Sequence, residues 1–224
     1  MTAPQDAAKQ AAGRYAAGLV QAGMRVGLGT GSTAHWAILA LAERRIEVTC
    51  TATSVRSEQL AREHGLTVVP PDEIGSLDIA LDGADEVDPA FNLIKGGGGA
   101  HLREKIIAQM AARFVVVADE SKLVDRLGAF GLPLEVLDFA PGVAVAHVRT
   151  LGASSVTTRP ERSDNGNLLM DAHFTTLIDD PAALSRELDR SAGILDHGLF
   201  LADLVEGVVV ASADGTVREL TRSG

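Results

Sequence analysis

The 224-residue chain has one cysteine, one tryptophan and one tyrosine, and aromatic residues make up only 4% of it. The lone Cys50 excludes an internal disulfide and suits a reducing compartment; it reads as a small buried apolar side chain. Basic residues are scarce, with 20 Lys and Arg against 30 Asp and Glu, a net charge of −10. Phosphate-backbone binding needs a surplus of Lys and Arg, so this charge argues against a nucleic-acid partner, while it does not exclude one phosphate held in a local pocket. No apolar run reaches about 18 residues, so no membrane span is expected. The opening MTAPQDAAKQAAGRYAAGL lacks the basic start and long apolar stretch of a secretory leader, and the expected location is the cytoplasm. The six histidines form no H-x-H or H-E-x-x-H pairing, and no G-x-S-x-G elbow occurs. A histidine-based metal centre and a serine hydrolase therefore have little support.

What is present is alternation. Apolar spacing predicts an opening helix over 7–20, a strand at MRVGLG (24–29) and a helix over 32–44. Strands follow at IEVTCTAT (46–53), LTVVP (66–70), LDIALDG (77–83) and RFVVVAD (113–119), with helices over 55–63 and 100–113. This rhythm predicts an α/β fold, a Rossmann-like open parallel sheet with helices on both faces and ligand-binding loops along one edge. After Leu132-Pro133 the pattern becomes helix (141–152), strand (154–158), an Asp164-Asn165-Gly166-Asn167 hairpin turn, LLMDAHF and a helix over 181–188. The expected organisation is a Rossmann-like catalytic domain of residues 1–129 and 206–224, with a smaller α+β, ferredoxin-like domain over 130–205. Tyr15 and Trp36 read as core or interface residues.

Four loops carry the chemistry. Gly27-Leu28-Gly29-Thr30-Gly31-Ser32-Thr33 joins a strand to a helix, with Ser32 and Thr33 as expected N-caps. Its spacing is not G-x-G-x-x-G, and no acidic residue ends the next strand, so a dinucleotide is disfavoured; an anion or sugar-phosphate loop, or a plain turn, remain. Thr53-Ser54-Val55-Arg56-Ser57 follows the next strand and on its own is no more than a helix cap. In Asp82-Gly83-Ala84-Asp85-Glu86-Val87-Asp88, four acids fall within seven residues. Asp82 and Asp85, at the end of a buried strand, read as functional, and Glu86 and Asp88 as solvated turn residues.

The fourth loop, Lys95 followed by four glycines (Gly96 to Gly99), leads into a helix carrying Glu104. Glycines are costly to order and useless for packing, but they let amide N–H groups approach a negative ligand. Leu102, Ile106 and Met110 suggest the stripe that faces the sheet, which puts Glu104 roughly 160–200° away from Leu102 and Ile106. Glu104 then faces solvent or a cleft; the plainer reading is a first-turn carboxylate stabilising the helix dipole by about 0.3–1 kcal/mol.

Together GLGTGST, TSVRSEQLA, DGADEVD, KGGGGAHLREKIIA and ADESK, in this order and spacing, closely resemble the A-type ribose-5-phosphate isomerase family. SDNGNLLMD and the GLF of Gly198–Phe200 extend the resemblance over nearly the whole chain. His101-Leu102 departs from the pattern, since relatives more often carry Leu followed by Leu or a small polar residue. The resemblance implies interconversion of D-ribose 5-phosphate and D-ribulose 5-phosphate through an enediol(ate), in the non-oxidative pentose phosphate pathway, with no metal and no cofactor. It implies Glu104 as the base, Asp82 in ring opening and hydroxyl proton transfer, Asp85 on sugar hydroxyls, and Lys95 on the developing oxyanion. Substrate binding would fall to Thr30, Gly31, Ser32 and Thr33 with Lys122 around the phosphate, and to Gly83, Ala84, Gly96, Gly97 and Gly98. The partners expected are a small-molecule sugar phosphate and further copies of the chain, as a homodimer or homotetramer, with no nucleic acid or membrane. A sugar-phosphate sensor would need a DNA-binding helix-turn-helix, which this chain lacks, and a nicotinamide oxidoreductase would need the missing fingerprint.

Overall fold

The computed structural model describes residues 3–221. In chain order its first half contains α1 (Ala3–Gly18), β1 (Arg25–Leu28), α2 (Ser32–Glu43), β2 (Thr49–Ala52), α3 (Val55–Glu63) and β3 (Thr67–Val68). These are followed by α4 (Pro71–Ile74), β4 (Ile79–Asp82), β5 (Glu86–Val87), β6 (Leu93–Ile94), α5 (His101–Met110) and β7 (Phe114–Asp119). The second half contains β8 (Leu132–Val136), α6 (Pro141–Thr150), β9 (Ala153–Arg162), β10 (Leu168–Phe174) and α7 (Pro181–Asp189). It closes with β11 (Ile194–His197), β12 (Leu199–Phe200), β13 (Gly207–Ala211) and β14 (Val217–Thr221). Two compact units result: one holds the chain to Ala84, Arg103–Lys122 and the residues from Asp203 onward, the other Asp85–Leu102 and Leu123–Ala202.

The first unit is built on a seven-stranded sheet in the order β14-β13-β7-β4-β1-β2-β3. All neighbours run parallel except the edge hairpin β13–β14. Strands β4, β7 and β13 are buried at every residue, as a sheet covered on both faces requires; this is why FVVVAD and GVVVA read as unbroken apolar runs. The strand order reverses between β1 and β4, so the loops that follow these two strands emerge side by side, and Gly29 N–H donates to Leu81 O at 2.9 Å. Cys50 sits in this core fully buried, and burial pushes its thiol up to about 12. Tyr15 is not a core residue: it is 42% exposed, and its hydroxyl donates to Glu219.

The second unit runs β8-α6-β9-β10-α7-β11, with an antiparallel sheet in the order β11-β8-β10-β9. That is the βαββαβ, ferredoxin-like arrangement. Its core joins Leu132, Leu134 and Val136 to Ala144 and Val148 of α6 and Leu188 of α7. The β9–β10 turn contains the expected left-handed glycine, Gly166 at φ 84°. It is also pinned from below by Glu135, fully buried on β8, whose Oε1 accepts from Ser163 Oγ, Asn165 Nδ2 and Asn167 Nδ2 at 2.7, 3.0 and 2.7 Å. A separate three-stranded antiparallel sheet, β12-β6-β5, was not expected from the sequence, because strands of two residues carry no readable period.

Candidate active site

In the first unit the β1 and β4 loops are tied to one another. Asp82, the last residue of β4, is 2% exposed, and its Oδ1 accepts from the amides of Thr30 (2.9 Å) and Gly83 (2.7 Å). This closeness explains Gly29: a Cβ there would lie 2.1 Å from Asp82 Oδ1 and 2.6 Å from its Cα. Gly29→Ala must displace the Asp82 backbone, an overpacking cost of about 1–3 kcal/mol. A lowered Tm is expected in thermal unfolding of Gly29→Ala, and an unchanged Tm would show that the Asp82 backbone yields without cost.

Thr30 also gathers the hydroxyls of the second loop. Its Oγ1 lies 2.7 Å from both Thr53 Oγ1 and Ser54 Oγ, while Ser57 Oγ donates to Gly29 O at 2.7 Å. Ser54 caps α3 by accepting from Ser57 N, so TSVRS is a cap and also a brace for the first loop. The expectation for Ser32 and Thr33 changes. Helix α2 starts at Ser32, and its N-cap is Gly31 at φ 115° with no side-chain cap bond. Here the helix N-terminal amides are not occupied by a hydroxyl, which suits an incoming anion. Ser32 is exposed and Thr33 buried. A cavity of about 260 Å³ beside this start is lined by Gly31, His35, Arg56, Ser57 and Gln59 among others. Burial, then the charge of Arg56, lowers the pKa of His35. Lys122 is half-buried at the end of the single 3-10 turn that follows β7.

Glu104 corrects the reading of α5. It is 3% exposed, whereas Ile106, placed on the sheet-facing stripe by pattern, is 44% exposed. The buried face is His101, Glu104, Ile107 and Ala108, at the i, i+3 and i+4 spacings of a helical stripe. Glu104 therefore belongs to the buried face and is not a solvated carboxylate at the helix start.

In the second unit Asp85 is half-buried and its Oδ2 accepts from Gly97 N at 2.7 Å. A Cβ on Gly97 would lie 2.7 Å from Asp85 Oδ1, so only glycine permits this approach. Gly96 adopts φ 100° and Gly99 φ 78°, with Gly99 N donating to Gly96 O at 2.9 Å. Gly96 and Gly99 are buried, while Gly97 and Gly98 are exposed. Lys95 is 2% exposed, its amide donating to Gly198 O and its Nζ lying 5.3 Å from the Phe200 ring centre. The atypical His101 is fully buried and packs against Gly96, where a Cβ would come within 2.7 Å of its Nδ1.

Glu86 is not a solvated turn residue. It is 3% exposed and clips a later loop, accepting from Gly128 N and Phe130 N at 2.6 Å each. Asp88 does shape a turn, accepting from the amides of Ala90 and Asn92. Among the described residues no three of His, Cys, Asp and Glu gather as a metal site, and no helix is long and apolar enough to cross a membrane. Sequence reasoning missed the Thr53, Ser54 and Ser57 brace, and also Arg159, which donates to the carbonyls of Gly96 and Gly97.

The sequence profile of the family Ribose 5-phosphate isomerase A (phosphoriboisomerase A) matches residues 49–215. The ribose-5-phosphate isomerase A of Thermomicrobium roseum is 46% identical, covering 97% of this chain and 95% of that protein. That of Jannaschia sp. is 44% identical over 96% of this chain and 87% of its own length. The crystal structure of ribose 5 phosphate isomerase A from Neisseria gonorrhoeae superposes with a TM-score of 0.93 at 34% identity, covering 98% of each chain. On fold, loop order and likeness over nearly its full length, the chain belongs to the ribose 5-phosphate isomerase A family.

Proposed function

We propose that Glu104 is the base of an aldose–ketose isomerisation that interconverts D-ribose 5-phosphate and D-ribulose 5-phosphate. Its burial on a helix that follows a lysine and four glycines is the observation that carries this reading. Glu104 takes the proton from C2 of the open-chain aldose, and the C–H electrons move to O1 to give an enediolate. The proton is returned at C1 and the O2 hydroxyl proton passes to O1, leaving the ketone at C2. The change is redox-neutral within the substrate, so the scheme requires no electron acceptor. A positioned base contributes about 10²–10⁴ in rate, and each oxyanion donor about 10²–10³.

Lys95 and the glycine amides serve the developing O1 charge. Asp82, its carboxylate fixed by the Thr30 and Gly83 amides, assists opening of the furanose ring and transfer of hydroxyl protons. Asp85 takes sugar hydroxyls, along with the backbone at Gly83 and Ala84. Thr30, Gly31, Ser32 and Thr33 hold the phosphate at the uncapped start of α2, with Lys122 supplying a cation. A homodimer or homotetramer belongs to the same proposal, and sedimentation equilibrium reads it directly.

Metal independence separates this scheme from a divalent-ion enediolate mechanism, for which the acidic loop supplies hard oxygen ligands. Prolonged EDTA treatment is expected to leave kcat/KM unchanged, and Asp82→Asn to lower it by on the order of 10²-fold. Activity lost on chelation and restored by Mg²⁺ or Mn²⁺ contradicts the assignment of Asp82 and Asp85 to the sugar.

A further inference from the structure

A run of four glycines has the least intrinsic order of any sequence, yet oxyanion stabilisation depends on dipoles that are fixed before the charge appears. Within the second unit one side chain supplies that order. Arg159, on β9, has a side chain 14% exposed, and each nitrogen of its guanidinium makes a hydrogen bond. Nε donates to Asp171 Oδ2 at 2.8 Å and Nη2 to Asp171 Oδ1 at 2.5 Å, a two-point fork onto the neighbouring strand β10. Nη1 then donates to Gly96 O at 3.0 Å and to Gly97 O at 3.1 Å. The planar guanidinium, once set by Asp171, can point its remaining N–H groups in one direction only.

The consequence follows from peptide geometry. In a trans peptide the carbonyl and the following N–H point in opposite directions. With the Gly96 carbonyl turned to Arg159, the Gly97 N–H points away, and it meets Asp85 Oδ2 at 2.7 Å. With the Gly97 carbonyl also turned to Arg159, the Gly98 N–H is directed away in the same manner, at an exposed position. Two consecutive peptide planes are thus oriented by one side chain 62 residues or more further along the chain. The hydrogen bond to Asp171 above all, with the charges of Asp171, Asp85 and Glu161, outweighs burial and favours the charged form of Arg159.

We infer that Arg159, locked by Asp171, is a positioning residue that fixes the tetraglycine loop so that its amides and Asp85 meet the substrate in one arrangement. The inference rests on the isomerase reading, in which this loop faces the oxyanion. Arg159 touches no reacting atom and acts through the loop backbone. A lysine cannot replace it, because one ammonium cannot grip a carboxylate at two points and reach two carbonyls as well.

The test compares wild type with Arg159→Met, Arg159→Lys and Asp171→Asn in steady-state isomerisation of ribose 5-phosphate, with inorganic phosphate as a competitive probe. Expected are falls in kcat of about 10- to 100-fold for both Arg159 variants, and a smaller fall for Asp171→Asn, which keeps the arginine but loosens its grip. The phosphate inhibition constant should stay within about threefold of wild type, because the α2 start is untouched. A phosphate constant that weakens in step with kcat would mean general damage to the fold and overturns the inference. So does a kcat within about threefold of wild type for Arg159→Met. Should Arg159→Met fail to fold, Asp171→Asn alone decides by the same split. Inactivity of the wild-type chain itself would instead refute the isomerase reading, a result distinguishable from failure of the clamp.

Discussion

Glu104→Gln is expected to lower kcat about 10²- to 10⁴-fold while leaving Tm within about 4 °C of wild type. Glutamine keeps the size of the side chain and one acceptor oxygen but cannot take a proton from carbon. The site is 3% exposed, so any change of volume would confound the result, and the near-isosteric exchange avoids that. If the carboxylate served only the helix dipole, the substitution would cost about 0.3–1 kcal/mol of stability and leave turnover intact. Retention of kcat with a reduced Tm is therefore the outcome that returns Glu104 to a structural role. A parallel loss of kcat and kcat/KM assigns the interaction to the transition state.

Lys95 is expected to be nearly as sensitive, and its surroundings state why. It is among the largest fully buried side chains in the chain, with its ammonium set over Phe200. Lys95→Met keeps the stem and removes the charge, and a fall in kcat of about 10²–10³-fold should follow. Lys95→Arg retains the charge but forces a broader planar group into a closed space, an overpacking cost of about 1–3 kcal/mol, so most activity should be lost there too. Equal turnover of Lys95→Arg and wild type would show that diffuse positive charge suffices.

The sequence was most legible where burial and apolar pattern coincide. Val55–Glu63 and Leu168–Phe174 begin and end where their spacing predicts. The parallel sheet follows from the same alternation, and the tetraglycine loop from its composition. Pattern failed where a buried face carries polar groups. Helix α5 buries His101 and Glu104 and exposes Ile106, so a rule that equates apolar with buried turned the helix the wrong way. Glu86 and Glu135 were invisible for a related reason, since each satisfies loop amides or side chains far away in sequence. Strand β8 carries Pro133, which argues against a central strand in any local reading. Arg159 left no local trace, because its partners on the glycine loop are backbone carbonyls.

The central claim is that the protein alone moves a proton between C1 and C2 of a pentose phosphate and that Glu104 carries it. NMR of EDTA-treated protein mixed with D-ribose 5-phosphate in D2O, with no other addition, reads both parts at once. D-Ribulose 5-phosphate is expected to accumulate to equilibrium with the wild-type chain, and with Glu104→Gln its formation should be slower by about 10²-fold or more. No ribulose 5-phosphate from the wild-type protein, or equal rates from the two proteins, would contradict that claim.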